Sequence, residues 1–306
     1  MMMEEENKNE TDSLSSFSLN REKDDLICFD SIKSAMIDAM DSLSAKFNNS
    51  SNTNRLETGF TTLDFDNGNL IVLAARKSLG KTAFSLSLIK KLAVDKKVPV
   101  GYINTGTIDN VTIGNKLISL ASGVAYPKIR SGMLKMTDLK KIQDTAASLY
   151  EAPIYTAINP NCDFSEFVLS AEYMLEEKAV KLIIVDDFEY FGELMDADNE
   201  LYRYELGKLM DSFKQFAVEH NIPIVLVMSL PPAEDYEFPG LEDFKKNLVI
   251  PYKADMVLFL HRDRLKDECK YIDTQLIISK HVNHATYDIP LRFYPSTSYF
   301  AAKSDD

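Results

Sequence analysis

The sequence is poor in the residues that mark secreted, metal-bound or membrane proteins. Its 306 residues include no tryptophan and three cysteines, and no apolar run approaches the roughly 20 residues that cross a bilayer. Cys28, Cys162 and Cys269 are far apart and odd in number, which fits no disulfide or metal framework and suits a reducing compartment. The first residues are acidic and polar, which argues against a secretory signal. The sequence therefore predicts a cytoplasmic protein without a membrane partner.

Positive charge is also scarce, because the formal net charge is −13. Residues 1–30 hold nine acids against three basic residues, so −6 of this charge lies there and −7 lies in the rest. Proteins that bind nucleic acid non-specifically usually present a broad basic surface to the phosphates. The composition argues against such a surface and leaves room for a local basic site.

The N-terminal part of the chain divides into a tail and a linker. Residues 1–29 are charged and poor in apolar residues, which predicts a disordered acidic tail. Within residues 30–54, apolar positions from Ile32 to Leu43 recur at helical spacing and are followed by a run rich in Asn and Ser, so a linker helix and a flexible linker are expected. The helix either packs on its own domain or docks on a neighbouring subunit.

From residue 55 to 302 the pattern predicts one α/β domain with a mostly parallel central sheet. Short apolar runs alternate with helical patterns, which is typical of strands joined by crossover helices. The strand candidates are 70–75, 99–104, 152–157, 181–187, 222–229, 255–262 and 274–281, and the clearest helix candidate is 203–220.

A phosphate-binding loop is indicated by "ARKSLGKT", residues 75–82, between a predicted strand and a predicted helix. Gly80 permits close approach of the backbone, Lys81 reaches the β- and γ-phosphates, and the Thr82 hydroxyl is a ligand for Mg²⁺. The predicted ATP-binding residues are Ala75, Arg76, Lys77, Ser78, Leu79, Gly80, Lys81, Thr82 and Ala83. A merely structural turn is the alternative.

A second motif, "KLIIVDD" at 181–187, ends an apolar strand in two acids. A carboxylate in this place helps to hold the Mg²⁺ of a bound nucleotide. Asp186 is predicted to be that ligand together with Thr82, and Asp187 stands beside it. An acid that simply faces solvent is the alternative.

These motifs, together with "TGFTTLDF", "ASGVAYPKIRSGML", "IPIVLVMSL", "ADMVLFLHRD" and "LIISKHVNH", resemble the C-terminal RecA-like motor domain of DnaB-type replicative helicases. The resemblance implies a RecA-like P-loop fold that binds ATP and Mg²⁺ between subunits. It also implies a homo-hexamer, or a place in a replicative helicase hetero-assembly, that moves along single-stranded DNA. Nothing in the sequence resembles the N-terminal domain of that family.

Three positions depart from the pattern that the resemblance implies. Gly106 stands where the family has the glutamate that activates water, and Ser229 stands where it has a γ-phosphate-sensing glutamine. Val282 replaces the arginine finger, whereas Lys280, expected to contact the ATP of a neighbouring subunit, is kept. Of the acids that are near enough to replace the missing base, Asp109 and Asp187, the second is the better candidate.

The segment that resembles a DNA-contacting loop is acidic and offers Lys245 and Lys246 as its basic residues. DNA contact and a solvated loop are both open. Three functions also remain open. One is an ATP-driven helicase with weak hydrolysis, and another is a non-hydrolysing ATP-binding paralogue that acts as an accessory or regulatory subunit. The third is a nucleotide sensor of the broader RecA-like group that is unrelated to DNA.

Overall fold

The computed structural model describes residues 36, 37, 40, 54–195, 201–232, 238–262 and 269–303. The chain divides into two compact units, Met1–Thr53 and Asn54–Asp306. In the first unit Met36, Ile37 and Met40 are helical and exposed, as expected for part of the linker helix. The predicted acidic tail and flexible linker lie outside the described residues, apart from Asn54.

The second unit contains a two-stranded antiparallel hairpin and a nine-stranded sheet. The hairpin strands are β1 (Arg55–Phe60) and β2 (Leu63–Asp66). The strands of the large sheet are β3 (Leu70–Arg76), β4 (Val100–Asn104), β5 (Ile154–Ile158), β6 (Leu182–Asp186), β7 (Ile224–Leu230), β8 (Met256–Arg262), β9 (Ile272–His281), β10 (Tyr287–Tyr294) and β11 (Tyr299–Ala302). Their order is β11-β10-β9-β8-β3-β7-β6-β4-β5.

Six neighbouring strands, from β8 to β5, run parallel, and β9, β10 and β11 extend the sheet with antiparallel pairing. Strands β3, β4, β6, β7 and β8 are buried along almost their whole length, because helices cover both faces of a parallel sheet. All seven predicted strands are confirmed. The hairpin and strands β10 and β11 were not predicted, since they alternate buried and exposed residues or are very short.

Eight helices connect these strands in the described part of the second unit. They are α1 (Lys81–Ile89), α2 (Asn110–Ser122), α3 (Tyr126–Ser131), α4 (Met136–Tyr150), α5 (Phe164–Lys178), α6 (Gly192–Met195), α7 (Tyr202–Glu219) and α8 (Val249–Lys253). A π-helical stretch, Lys90–Asp95, continues α1, and 3₁₀ segments cover Phe188–Tyr190 and Leu241–Asn247. Helix α7 confirms the helix that was predicted at 203–220.

Apolar side chains fill both faces of the sheet and hold the ends of its central strands in place. On one face six phenylalanines of the described part of the chain pack ring to ring, with the Phe167 and Phe213 centroids 4.6 Å apart. The opposite face buries Phe84 of α1 against Phe60 and Phe300. The predicted fold class, an α/β domain with a mostly parallel sheet, is confirmed. Among the described residues no helix is long and apolar enough to cross a membrane.

Candidate nucleotide-binding site

The predicted phosphate loop connects the carboxyl end of β3 to the first turn of α1. Ser78 and Gly80 both have positive φ, 65° and 104°, and left-handed residues of this kind occur in loops whose backbone N–H groups bind anions. Gly80 tolerates this φ because it lacks a Cβ, and an added Cβ would also lie 3.1 Å from the Phe300 ring. The helix starts directly at Lys81, so the loop presents a helix N-terminus, a favourable place for phosphate.

Asp186 ends β6 at the same edge of the sheet as this loop, because β3, β7 and β6 are adjacent parallel strands. Its side chain is fully buried, and the Tyr102 hydroxyl donates to Oδ2 at 2.8 Å. The Asp187 N–H donates to Oδ1 at 3.0 Å. Burial and then the charge of Asp187 raise the pKa of Asp186 to about 6, while the hydrogen bond from Tyr102 and the nearby Thr82 hydroxyl oppose this shift. The structure thus brings together the two residues predicted to hold Mg²⁺.

The donor set at this point fits Mg²⁺. The Thr82 hydroxyl and the Asp186 carboxylate are oxygen ligands, which Mg²⁺ prefers, and the hydroxyl is close enough to the carboxylate to lower its pKa. A buried carboxylate whose pKa is raised by desolvation is stabilised by a cation placed beside it. These two side chains are therefore suited to hold the ion that neutralises the phosphates of a nucleotide.

Arg262 supports the loop from the end of β8, a role that sequence reasoning missed. Its Nε donates to the carbonyl of Leu79 at 3.0 Å and its Nη2 donates to that of Ser78 at 2.7 Å. The guanidinium also stacks on Phe293, 4.7 Å from the ring centroid. The available signal was the position of Arg262, directly at the end of a buried strand on the same sheet edge. Arg262 fixes the loop carbonyls and leaves the opposite side of the loop to the ligand.

Arg76, at the start of the loop, reaches a different segment. Its Nη1 donates to the Pro231 carbonyl at 2.9 Å, and its Nη2 lies 3.1 Å from Asp243 Oδ1. Asp243 belongs to the 3₁₀ segment that also contains Lys245. Lys245 itself is exposed and has a strained backbone (φ 48°, ψ −110°). The side chain of Lys246 lies outside the described part, so the predicted DNA contact of both lysines stays a prediction.

The two candidates for a replacement base have different surroundings. Asp109 is exposed and its carboxylate accepts a hydrogen bond from the Thr112 N–H at 2.8 Å, which makes it the N-cap of α2. Asp187 is partly exposed and directly follows Asp186, next to the loop that begins after β4 at Thr105 and Gly106. Of these two acids, the structure places Asp187 at the candidate site.

Ser229 and Val282, the other two residues that depart from the family pattern, lie in different parts of the sheet. The Ser229 N–H, near the end of β7, donates to Glu189 Oε1 at 3.2 Å. Lys280 and Val282 lie near the amino end of β8, the sheet edge opposite the phosphate loop. The Lys280 amine donates to three carbonyls at the end of α8, those of Pro251, Tyr252 and Ala254, at 2.6–3.1 Å. Lys280 therefore lies away from the phosphate loop of its own chain, and its contact with the ATP of a neighbouring subunit stays a prediction.

Comparisons with known proteins agree on one family. The family described as "DnaB-like helicase C terminal domain" matches residues 55–302. Replicative DNA helicase DnaB of Treponema pallidum (strain Nichols) is 32% identical over 283 residues, covering 90% of this chain and 62% of that protein. A probable plasmid replicative DNA helicase of Chlamydia psittaci is 26% identical over 259 residues, covering 82% and 56%. The chain therefore spans less than two thirds of the length of these relatives.

Solved structures show the same fold. A solved ATPase domain aligns with a TM-score of 0.75 and 19% identity, covering 90% of this chain and 99% of that one. A DnaB-like replicative helicase, solved in a study of its interactions with primase, gives the same TM-score and identity and covers 90% and 67%. At this identity the likeness shows the fold, which is the RecA-like ATPase domain that the resemblance implied.

Proposed function

Because this chain belongs to the DnaB-like helicase C-terminal domain family, we propose that it binds ATP with Mg²⁺ and acts as the motor domain of a replicative DNA helicase. The observation that carries this proposal is the Thr82 hydroxyl next to the buried Asp186 carboxylate, beside a loop with positive φ at Ser78 and Gly80. The fold places these groups at the carboxyl ends of parallel strands, where open α/β sheets bind their ligands. The expected compartment is the cytoplasm.

Each residue of the site is proposed to bind a different part of the Mg²⁺–ATP complex. Ala75 to Ala83 are assigned to the nucleotide, with backbone N–H groups in the first turn of α1 on the phosphate oxygens and Lys81 on the β- and γ-phosphates. Thr82 and Asp186 are assigned to Mg²⁺, which neutralises the negative charge that develops during phosphoryl transfer. Arg262 keeps the loop in shape from behind.

Hydrolysis is proposed to be slow, because three residues that the resemblance implies for phosphoryl transfer are replaced. Gly106 has no side chain that could activate water. Ser229 is too short to act as a γ-phosphate sensor, and Val282 carries no charge and is 60% exposed. An arginine finger contributes roughly 10³–10⁵ in rate. The same replacements favour the second candidate function, a non-hydrolysing helicase paralogue that binds ATP as an accessory or regulatory subunit.

The proposed partners are further copies of this chain, or a replicative helicase hetero-assembly, and single-stranded DNA. Met36, Ile37 and Met40 are helical and more than half exposed, which supports a helix that docks on another subunit. Lys245 and Lys246 are the proposed contacts for DNA phosphates. A homo-hexamer is the expected assembly.

The proposal is tested by measuring nucleotide binding and steady-state ATP turnover separately, with and without single-stranded DNA. Lys81→Ala is expected to abolish both, whereas Lys181→Ala, an exposed lysine outside the site, is expected to leave both unchanged. Turnover that DNA stimulates and Lys81→Ala removes supports the motor function. Tight ATP binding without turnover supports the accessory subunit, and failure of the wild-type chain to bind ATP refutes the nucleotide site.

A further inference from the structure

We propose that Asp187 is the catalytic base of this site and that Gly106 is a glycine in order to make room for it. The side chain of Asp187 lies in the space that any side chain at residue 106 would need. A Cβ added to Gly106 would overlap Asp187 Oδ2, and it would lie 3.0 Å from Cγ and 3.1 Å from Cβ of the same residue. These positions are closer than van der Waals contact, so the two side chains exclude each other. This inference rests on the proposed nucleotide site.

The backbone gives no other reason for a glycine at 106. Gly106 is absent from the described residues with positive φ, so its conformation suits any amino acid. It also follows a buried strand, β4, at the sheet edge where Lys81 and Asp186 lie. What this position requires is the absence of a side chain, and Asp187 is the group that benefits.

Asp187 is held in an unusual conformation by its neighbours. It has φ 63° and ψ 38°, the left-handed region, which costs a non-glycine residue roughly 1–2 kcal/mol and persists at functional sites when the surroundings enforce it. The Thr105 hydroxyl donates to the Asp187 carbonyl at 2.7 Å, and the Asp187 N–H donates to Asp186 Oδ1 at 3.0 Å. The Asn104 amide donates to Asp187 Oδ2 at 3.3 Å. These bonds direct the carboxylate into the space beside Gly106.

The acids around Asp187 have different contacts. Asp186 is fully buried and accepts hydrogen bonds from the Tyr102 hydroxyl and the Asp187 N–H, and Asp109 caps α2, away from the site. Glu189 accepts from the Ser229 N–H with Oε1, on the β7 side, and its buried Oε2 has no hydrogen-bond partner in the described part of the chain. Asp187 alone among these is next to Asp186, partly exposed and bordered by a residue without a side chain. The Asn104 Oδ1 atom, buried and without a hydrogen-bond partner among the described residues, adds an acceptor at the same place.

The proposed step is the hydrolysis of the terminal phosphoanhydride bond of ATP. The oxygen of a water molecule forms a bond to the γ-phosphorus while the Asp187 carboxylate accepts a proton from that water. The bond between the γ-phosphorus and its bridging oxygen breaks, and ADP leaves with the electron pair. The proton on Asp187 then passes to solvent, so the products are ADP, inorganic phosphate and the regenerated carboxylate.

The first test compares Asp187→Asn with Glu189→Gln and Asp109→Asn. Asparagine tolerates the left-handed region and can still accept from Asn104, so the variant is expected to fold and to bind a fluorescent ATP analogue as the wild type does. Its turnover is expected to fall about 100-fold or more, the usual contribution of a general base, while the two control variants stay within about 3-fold. Turnover by Asp187→Asn at the wild-type rate overturns the proposal.

A reciprocal pair of variants tests the shared space. Gly106→Glu alone is expected to reduce turnover at least as much as Asp187→Asn, because its Cβ meets the Asp187 carboxylate. Gly106→Glu combined with Asp187→Gly, a residue suited to φ 63°, is expected to recover at least 10-fold over Gly106→Glu alone. A single Gly106→Glu variant that works like the wild type overturns the shared-space argument.

The wild-type chain serves as the control that separates nucleotide binding from the role of Asp187 as the base. A wild-type chain that binds the ATP analogue but does not turn it over overturns the base and leaves nucleotide binding standing. A wild-type chain that does not bind it refutes the proposed function and the base together.

Discussion

The buried Asp186 carboxylate is expected to lower the stability of the protein while it serves the proposed Mg²⁺ site, and Asp186→Asn tests both effects. Burial and the neighbouring Asp187 raise the pKa of Asp186 from 3.8 to about 6. At about 1.36 kcal/mol per pKa unit, keeping this side chain charged at pH 7 costs the metal-free protein roughly 3 kcal/mol. The side chain is fully buried, so solvent does not screen this cost. A neutral amide at residue 186 removes it.

One lost hydrogen bond opposes this gain. The two carboxylate oxygens accept from the Tyr102 hydroxyl and from the Asp187 N–H, and the single amide oxygen of the substituted side chain replaces only one of them. The NH₂ group of the substituted side chain then points at the remaining hydrogen-bond donor, and this lowers the free energy of unfolding by about 1 kcal/mol. Asp186→Asn is therefore expected to raise the free energy of unfolding by about 2 kcal/mol at pH 7, while it weakens Mg²⁺-dependent ATP binding.

The pH dependence gives this prediction its sign. Because the pKa of Asp186 is higher in the folded than in the unfolded state, the folded protein binds this proton more tightly, and its contribution to stability falls as pH rises from about 4 to 6. The advantage of Asp186→Asn is therefore expected to shrink by about 2 kcal/mol between pH 7 and pH 4.5.

Urea unfolding in EDTA at both pH values measures these differences. Asp288→Asn, an exposed acid on β10, serves as the control and is expected to change the free energy of unfolding by less than about 0.5 kcal/mol at either pH. If Asp186→Asn lowers stability equally at both pH values, the buried carboxylate is not a source of instability and the reasoning is refuted.

Three further substitutions test the loop and the core. Gly80→Ala is expected to raise the Kd for ATP at least 10-fold, because residue 80 has φ 104° and the new methyl group would press on Phe300; calorimetric titration with an unchanged Kd would contradict this. Arg262→Ala removes two charge-assisted hydrogen bonds to the loop, each worth about 1.5–3 kcal/mol, and is also expected to raise that Kd at least 10-fold; equal binding would mean that the loop keeps its shape unaided. Phe167→Ala is expected to lower the free energy of unfolding by about 3–5 kcal/mol in urea, and a loss below about 1 kcal/mol would contradict the packing of the phenylalanine cluster.

Much of the fold could be predicted because its signals are local. Central strands such as β3 and β7 are continuous apolar runs, since both of their faces are covered, and helix α7 shows a clear helical period. Strands β10 and β11 lack this signal. Strand β10 alternates buried and exposed residues and includes Pro290, so its place in the sheet follows from pairing with β9.

The candidate site was predictable in part for the same reason. The loop from Ala75 to Ala83 is contiguous, and Asp186 ends an apolar strand, so both could be recognised without coordinates. The support from Arg262 and the bond from Tyr102 could not, because each joins segments that are distant in the sequence. The bonds of Lys280 to the end of α8 are of the same kind.

The sequence by itself determined the parallel sheet and the loop proposed to bind a triphosphate, because hydrophobic periodicity and a strand–loop–helix motif are properties of neighbouring residues. Only the tertiary structure decided how Gly106 and Asp187 are related. Adjacent parallel strands bring their carboxyl ends together, and a left-handed residue after Asp186 turns its carboxylate into the space that a missing Cβ leaves open. In the sequence Gly106 only replaces the glutamate that the resemblance implies. In the fold it borders Asp187, an acid that follows a different strand.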